Sequence, residues 1–387
     1  MANIFDYLTD VQYDSFYDVP LNELDVLAFT ELTYLPFDDL LDQSINRLND
    51  VAIRVPRENN MLTNKERLQL LDQLASHKRF KNSKLSNFVN DIDVELQKQF
   101  AAMTYRLNLD TYLIVFRGTD DSIIGWKEDF HMTYMDRVPA QKNAKKYLKE
   151  VLRELDGDFI LTGHSKGGNL AAYAASQVNP LLQERIKKIY SYDAPGLNKA
   201  IIESDGYKAI ANKIQHYIPQ GSIVGMMLEI PKQMAIVKSA ALGGLAQHDT
   251  FSWQIEGDSF VLLDSLNPDS LQTDKTLKNW VRSTSDEELK DFFDLFFGLV
   301  LDAGITSIDD FSKISNVRKV LEIFKNANAL SDEEREMLTR LTSLLVDMRV
   351  QSWKDDISLP DFGQFFQEAK DNISEFTKNL PFHNTES

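Results

Sequence analysis

The amino-acid sequence predicts an α/β protein with a mostly parallel central sheet, a helical N-terminal cover and a helical C-terminal extension. Three observations carry that prediction. From Gln99 to Ile255, short apolar runs of strand length alternate with amphipathic segments of helix length. Before that stretch the apolar residues recur mainly at helical spacing. After about Asp274 the helical period returns and persists to the end. The expected boundaries are 1–98 for the cover, 99–273 for the core and 274–387 for the extension.

Each element has its own signal. Leu24, Val26, Leu27, Phe29 and Leu32 mark a first helix, and Asn64 to His77 a second. Pro36, Pro56 and the run Val51 to Val55 read as irregular connections. Phe100 to Leu107 and Thr111 to Phe116, joined by Asn108-Leu109-Asp110, read as a hairpin. A helix from Gln141 to Leu155 follows, with Ala144, Tyr147, Leu148, Val151, Leu152 and Leu155 on one face. Then come a strand Asp158–Thr162, a helix from Lys166 to Val178 and a strand Ile186–Tyr192. A helix about Leu197 to Ala211 and strands Lys213–Ile218 and Phe251–Ile255 complete the core. Strands alternating with helices favour parallel pairing, because each crossover carries the chain back to the same end of the sheet. Beyond it, Ser285-Asp286-Glu287-Glu288 has capping-box spacing before Leu289, Phe292, Phe293, Phe296, Phe297 and Val300. Ser331-Asp332-Glu333-Glu334 repeats that start, and a last amphipathic helix is expected from Asp361 to Leu380.

Composition narrows the function classes. The formal charge of −17 disfavours a general attraction for nucleic acid. Arg185, Lys187 and Lys188 form only a local basic group, read as a solvated helix end. With no cysteine, disulfides, thiolate catalysis and Cys-ligated zinc are excluded, which fits a reducing cytoplasm. The start Met-Ala-Asn-Ile-Phe-Asp-Tyr lacks the basic and apolar regions of a signal peptide. The longest apolar stretch, Ile223 to Leu245, is broken by Glu229, Pro231, Lys232 and Lys238, so no transmembrane helix is expected.

The strongest local pattern is Gly163-His164-Ser165-Lys166-Gly167, a G-x-S-x-G turn between a strand and an Ala-rich helix. This is the setting of a nucleophilic serine in the α/β hydrolases, where a strained turn lifts the hydroxyl above the sheet edge. The alternative is a glycine turn needed only for close helix–strand packing. A serine hydroxyl requires a base, and imidazole suits neutral pH. In that class the histidine follows the serine, which leaves His216, His248 and His383. His216 lies within a strand and His383 in a polar tail, so His248, between a glycine loop and a strand-like run, is the expected base. Among the carboxylates between serine and histidine, Glu184, Glu203 and Asp205 fall on or near helices. Asp193 ends a strand before the turn Ala194-Pro195-Gly196, where an open sheet gathers its catalytic groups, and is chosen over Glu229 as well. For the oxyanion, the backbone N–H groups of Lys166 and Thr119 are the expected donors, the latter just past the strand Tyr112–Phe116. Arg117 is read as structural.

Taken together, Phe116-Arg117-Gly118-Thr119, Trp126, Asp129, the elbow and Ser191-Tyr192-Asp193-Ala194-Pro195-Gly196-Leu197-Asn198 resemble the lipase class 3 branch of the α/β hydrolases and related uncharacterised bacterial lipase-like proteins. The resemblance covers roughly Gln99 to Ile255. It implies a lipase- or esterase-like hydrolase of a small acyl ester, lipid esters included, needing no cofactor or metal. One departure stands out: that family's acid follows the next strand, where this chain has Gly221-Ser222-Ile223-Val224-Gly225. Either Asp193 has taken over, in an arrangement resembling pancreatic-type lipases, or the triad is degraded and the fold serves binding alone. A thioesterase or peptidase on the same triad is the remaining option. Met226 and Met227, with nearby apolar residues up to Val237, line an acyl pocket or lid, or else pack against the helical extension.

Overall fold

The computed structural model describes residues 2–304, apart from 42–45, 59–63, 94–97, 121–122, 133–134, 136, 232, 243–245, 269, 272–277, 279–280, 282–283 and 303. These lie in the first of two units into which the chain divides, Met1–Ala327 and Asn328–Ser387. The expected helices starting at Ser331 and Asp361 fall outside the described residues.

In chain order the N-terminal part forms α1 (Ile4–Asp10), α2 (Glu23–Leu32), β1 (Asn46–Arg47), α3 (Leu48–Ala52), α4 (Lys65–Ser76) and β2 (Lys84–Asp93). The core continues with β3 (Lys98–Arg106), β4 (Thr111–Phe116), α5 (Ile123–His131), α6 (Pro139–Glu154), β5 (Asp158–His164), α7 (Lys166–Gln177), α8 (Pro180–Arg185) and β6 (Ile186–Tyr192). Then follow α9 (Lys199–Ile202), α10 (Asp205–Lys208), β7 (Ile214–Pro219), β8 (Met234–Val237), β9 (Ile255–Glu256), β10 (Ser259–Phe260), β11 (Leu262–Leu263) and α11 (Asp286–Asp302).

The main sheet runs β1-β2-β3-β4-β5-β6-β7-β8-β11, with β9 and β10 as a separate short pair. It is mixed, which corrects the expectation of a mostly parallel sheet. Only β4 to β8 are parallel neighbours. The pairings of β1 with β2, β2 with β3, β3 with β4 and β8 with β11 are antiparallel. The extra strands come chiefly from the segment read as a helical cover: β2 precedes residue 98 and pairs with β3 along nearly its whole length. Its alternation is interrupted by a register shift between Ser86 and Val89, where Asn87 has φ 52°. Asn and Asp are poor strand formers, and a bulge scrambles the two-residue period, so the strand leaves little trace in sequence.

Period-two alternation along the central strands makes two cores. Met103, Tyr105, Leu113 and Val115 face α1, α2 and α4 through Leu8, Leu24, Phe29 and Leu74. Ala102, Ile114, Phe116, Phe159 and Leu161 face the other way, onto Leu148 and Leu152 of α6 and Leu170 and Ala174 of α7. The helix expected over 197–211 is split into α9 and α10, each started by its own side-chain cap, Asn198 and Ser204. Arg185 of the basic group is tied inward, donating to the carbonyls of Leu152 and Leu155. At α11 the Ser285 hydroxyl accepts from Glu288 N at 3.2 Å, while Glu288 Oε2 accepts from Ser285 N at 2.8 Å, which is the capping box expected from the spacing. Leu289, Phe293 and Phe297 of that helix are buried. No described helix is long and apolar enough to cross a membrane.

Candidate active site

Ser165 stands between the end of β5 and the start of α7 with φ 57° and ψ −136°, a backbone state costly for any residue but glycine. Two glycines make the turn possible. A Cβ on Gly163 would come within 2.1 Å of the Gly167 carbonyl carbon, and one on Gly167 within 2.0 Å of the Phe116 carbonyl oxygen. Helix and strand can approach this closely only without those side chains. The serine is half-buried, and its N–H donates to the Tyr192 carbonyl at 2.9 Å.

The neighbouring strand ends in the same register. His164 pairs with Tyr192, so the residues that follow, Ser165 and Asp193, emerge side by side from the carboxyl rim. Asp193 is fully buried, also in left-handed backbone geometry (φ 40°), with its N–H on the Tyr217 carbonyl at 2.7 Å. Its Oδ2 lies 2.6 Å from Nδ1 of His248. A carboxylate only accepts, so Nδ1 carries the hydrogen and Nε2 is left with its lone pair. Asp193 Oδ1 accepts from the Ser222 hydroxyl at 2.5 Å and from Gly225 N at 3.1 Å. The serine at the position where an acid was expected thus donates to the Asp193 carboxylate one strand away. Burial works to raise the Asp193 carboxyl, but the His248 hydrogen bond, that ring's charge and the Ser222 hydroxyl outweigh it and hold its pKa below the usual range. For His248, burial pulls downward and the bond and charge of Asp193 pull harder upward, so the imidazole is more basic than an ordinary histidine.

His248 does not precede a strand, as the sequence suggested. It ends a short 3₁₀ turn, Ala246–His248, and a second turn, Thr250–Ser252, follows where a strand was expected. Asp249 interrupts extension by accepting from Phe251 N at 3.1 Å, and Trp253 turns inward to donate to the Gln247 carbonyl at 2.9 Å. The His248 side chain keeps 21% of its surface exposed. His216, the rejected alternative, is buried in β7 with Nδ1 3.0 Å from the Ser191 hydroxyl, and desolvation drives its pKa to about 4. His383 lies outside the described residues.

Across the elbow, Thr119 donates its hydroxyl to Asp129 Oδ2 of α5. Its N–H has no acceptor among the described residues. The N–H of Lys166 begins α7 and has no intrahelical acceptor. The Lys166 side chain, to which the sequence assigns no role, is fully buried. Its ammonium donates to Gln99 Oε1 at 2.8 Å, to the Gln99 carbonyl at 3.1 Å and to Glu128 Oε2 at 3.1 Å. Asp129 Oδ1 is farther off, at 3.8 Å from Nζ. Burial raises the Asp129 carboxyl to about 6, with Lys166 and the Thr119 hydroxyl opposing. Arg117 is buried and donates to Asn90 Oδ1 at 2.9 Å, which fits a structural role.

The two methionines part company. Met226 is only 5% exposed and packs with Ile218 and Leu266, so it is part of a small apolar cluster rather than an open wall. Met227 is half-buried and accepts from Gly196 N at 2.8 Å through its carbonyl.

Among known proteins, a family model described as Mbeg1-like matches residues 74–298, more than half of the chain. No curated protein matches. The M37 lipase structure is similar over 52% of this chain and 67% of its own, at 14% identity and TM-score 0.33. The lipase of Rhizopus microsporus var. chinensis is similar over 51% and 69%, at 18% identity and TM-score 0.31. Lipase II of Rhizopus niveus is similar over 61% and 88%, at 15% identity and TM-score 0.32.

Proposed function

This chain belongs to the Mbeg1-like family, and from that premise and the geometry of its sheet rim we propose that it is a serine hydrolase cleaving carboxylic esters through an acyl-serine intermediate. The observation that carries the proposal is the 2.6 Å bond between a buried Asp193 and His248, beside a serine on a strained elbow.

In this reading Asp193 fixes the tautomer and orientation of His248, leaving Nε2 to take the Ser165 proton as the hydroxyl attacks the ester carbonyl. The carbonyl oxygen gains negative charge and is met by the N–H groups of Thr119 and Lys166, beside the positive end of α7. Collapse of the tetrahedral species expels the alcohol, which takes the proton from His248. Water then repeats the sequence in reverse on the acyl-serine. Two features support the pairing of acid and base. Asp193 has three donors on its two oxygens, so it stays ionised, and His248 has its basicity raised to suit a general base near neutral pH. The substrate class, a small acyl ester or an ester of a lipid, is what the lipase-like resemblance implies, and the triad and oxyanion donors are compatible with it. Met227 is the retained candidate for contact with its acyl part. The cysteine-free composition favours a reducing compartment, the cytoplasm.

A fluorophosphonate probe tests this directly. It should label Ser165, fail in Ser165→Ala and react far more slowly in His248→Ala. Folded protein that resists the probe would sink the hydrolase reading and leave a silent binding fold. A panel of oxyesters, thioesters and amides of varied chain length then separates esterase from thioesterase and peptidase.

A further inference from the structure

Behind the Asp193–His248 pair lies a second imidazole facing a second buried carboxylate, and that carboxylate comes from α2, ahead of the whole α/β core. Glu31 is 2% exposed. Its Oε1 accepts from the Thr250 hydroxyl at 3.0 Å and lies 3.1 Å from His164 Nδ1, a close contact off the hydrogen-bond direction. Its Oε2 accepts from Arg67 Nη2 at 3.0 Å. His164, the residue before Ser165, approaches the His248 carbonyl with Nε2 at 3.0 Å. That carbonyl can only accept, so the ring nitrogen donates. The two imidazoles lie with centroids 4.5 Å apart. One carboxylate therefore grips the ring beneath His248 and the turn just after it.

We propose that Glu31 is a positioning residue for the hydrolysis: through His164 and Thr250 it fixes the main chain of His248, and it sets a second fixed negative charge behind the imidazolium that forms when Ser165 gives up its proton. This rests on the reading of Ser165 and His248 as nucleophile and base. Held in place before reaction, such a charge needs no reorganisation when the imidazolium appears. The alternative is that Glu31 only anchors α2 to the core. The two differ in pH behaviour. His248 is faced by Asp193 just past β6, Glu31 from α2, His164 from β5 and Asp129 from α5, with Asp249 beside it in its own turn. Arg67 of α4 stands on the far side of Glu31. Burial would raise the Glu31 carboxyl, but its contacts with His164 and Arg67 pull it to about 2, so it is ionised wherever His248 titrates.

Removing the Glu31 charge should lower the pKa of His248. A base works only when neutral, so the acid limb of the rate profile moves to lower pH. At the same time the plateau falls, since the imidazolium is less stabilised. For Glu31→Gln in the full chain, the expected result is kcat down about tenfold with KM within about twofold, and the limb lower by about half a pH unit. Glu31→Asp should restore the limb. Arg67→Gln must move it the other way, to higher pH, because the cation opposing Glu31 is gone. This variant serves if Glu31→Gln fails to fold. A limb unmoved in whichever of these variants folds overturns the proposal. Histidine titration by NMR in the free protein reads the same shift without turnover. If wild type resists the fluorophosphonate while His248 still titrates lower in Glu31→Gln, the hydrolase reading falls and the positioning stands. If labelling is normal and His248 titrates unchanged, the positioning falls alone.

Discussion

Two aspartates flank the Ser165 elbow, Asp193 fully buried and Asp129 half-buried, and their surroundings push them in opposite directions. Asp193, past the end of β6, receives a hydroxyl, a backbone N–H and an imidazole on its two oxygens and stays a carboxylate. Asp129, on α5, holds the Thr119 hydroxyl with one oxygen, while the other has no hydrogen-bond partner among the described residues, and burial lifts its pKa to about 6. Desolvation acts upward on both. What separates them is the donors each site supplies, because a carboxylate taken out of water keeps its charge only where other groups replace its hydration. On the β6–β7 side the donors converge on the acid itself. On the α5 side the nearest cation, Lys166, is committed to Glu128 and Gln99. One side of the rim is built to keep a charge and the other to hold a loop.

The sharpest way to break that contrast is to neutralise the charged side. Asp193→Asn should lower kcat about 10⁴-fold, by analogy with loss of a triad acid elsewhere. The variant also loses a pH-dependent part of its stability. A depressed carboxyl pKa stabilises the fold above the unfolded value near 4, and that gain disappears as pH falls through the folded pKa. Thermal melts against pH should therefore separate wild type from Asp193→Asn at neutral pH and converge in acid. Equal kcat in the two proteins would remove Asp193 from the mechanism.

On the other side the largest effect should be on folding. Lys166→Met removes the cation among Glu128 and Gln99 and leaves a buried carboxylate short of its partner. Breaking a buried pair on one side costs about 3–5 kcal/mol, which urea denaturation would read directly. A loss below about 1 kcal/mol would mean that Glu128 is held well enough by the backbone N–H groups of Gln99 and Ala140, at 3.0 and 2.8 Å. Ser222→Ala probes the donors of Asp193 one at a time. A hydrogen bond to a charged group is worth about 1.5–3 kcal/mol, and Gly225 N remains on the same oxygen. A fall in kcat near tenfold is expected, with the pKa of Asp193 raised. Unchanged kcat would show that the serine at the usual acid position has no part in the site.

The legible parts of this molecule are those whose causes are local. Gly163 and Gly167, the apolar β5 and the Ala-rich α7 all fall within one short stretch, so the elbow could be read at once. Asp193 stands out as a candidate because few carboxylates lie between Ser165 and His248, and only one ends a strand before a tight turn. The strand β2 was hidden by its bulge and its Asn and Asp residues. The turn after His248 was hidden because Phe251 and Trp253 look strand-like, while the cap on Asp249 and the inward swing of the indole are tertiary facts. Glu31 was out of reach altogether. Its partners Arg67 and Thr250 lie 36 and 219 positions away, and the helical period of α2 registers only the apolar residues around it. The sequence offers Lys166 for its N–H alone, since nothing in a single sequence places Gln99 and Glu128 about its ammonium.

The smallest expected effect, and the one that tests the comparison most finely, belongs to Asp129→Asn. The amide keeps an acceptor for the Thr119 hydroxyl and discards the charge. A carboxyl whose folded pKa is raised favours the fold only when protonated, so ionised Asp129 is a burden above pH 6 that fades as pH falls toward the unfolded value near 4. The variant should accordingly be more stable than wild type at pH 8, by at most about 2–3 kcal/mol. The gap should narrow through pH 6 and vanish near pH 4. That is the reverse of the pattern for Asp193→Asn, which is weaker than wild type at neutral pH. Activity should fall only severalfold, because the loop remains tied to α5. If Asp129→Asn is instead the less stable protein at pH 8, then Lys166 reaches across the 3.8 Å gap in solution, and both sides of the rim hold their charges in the same way.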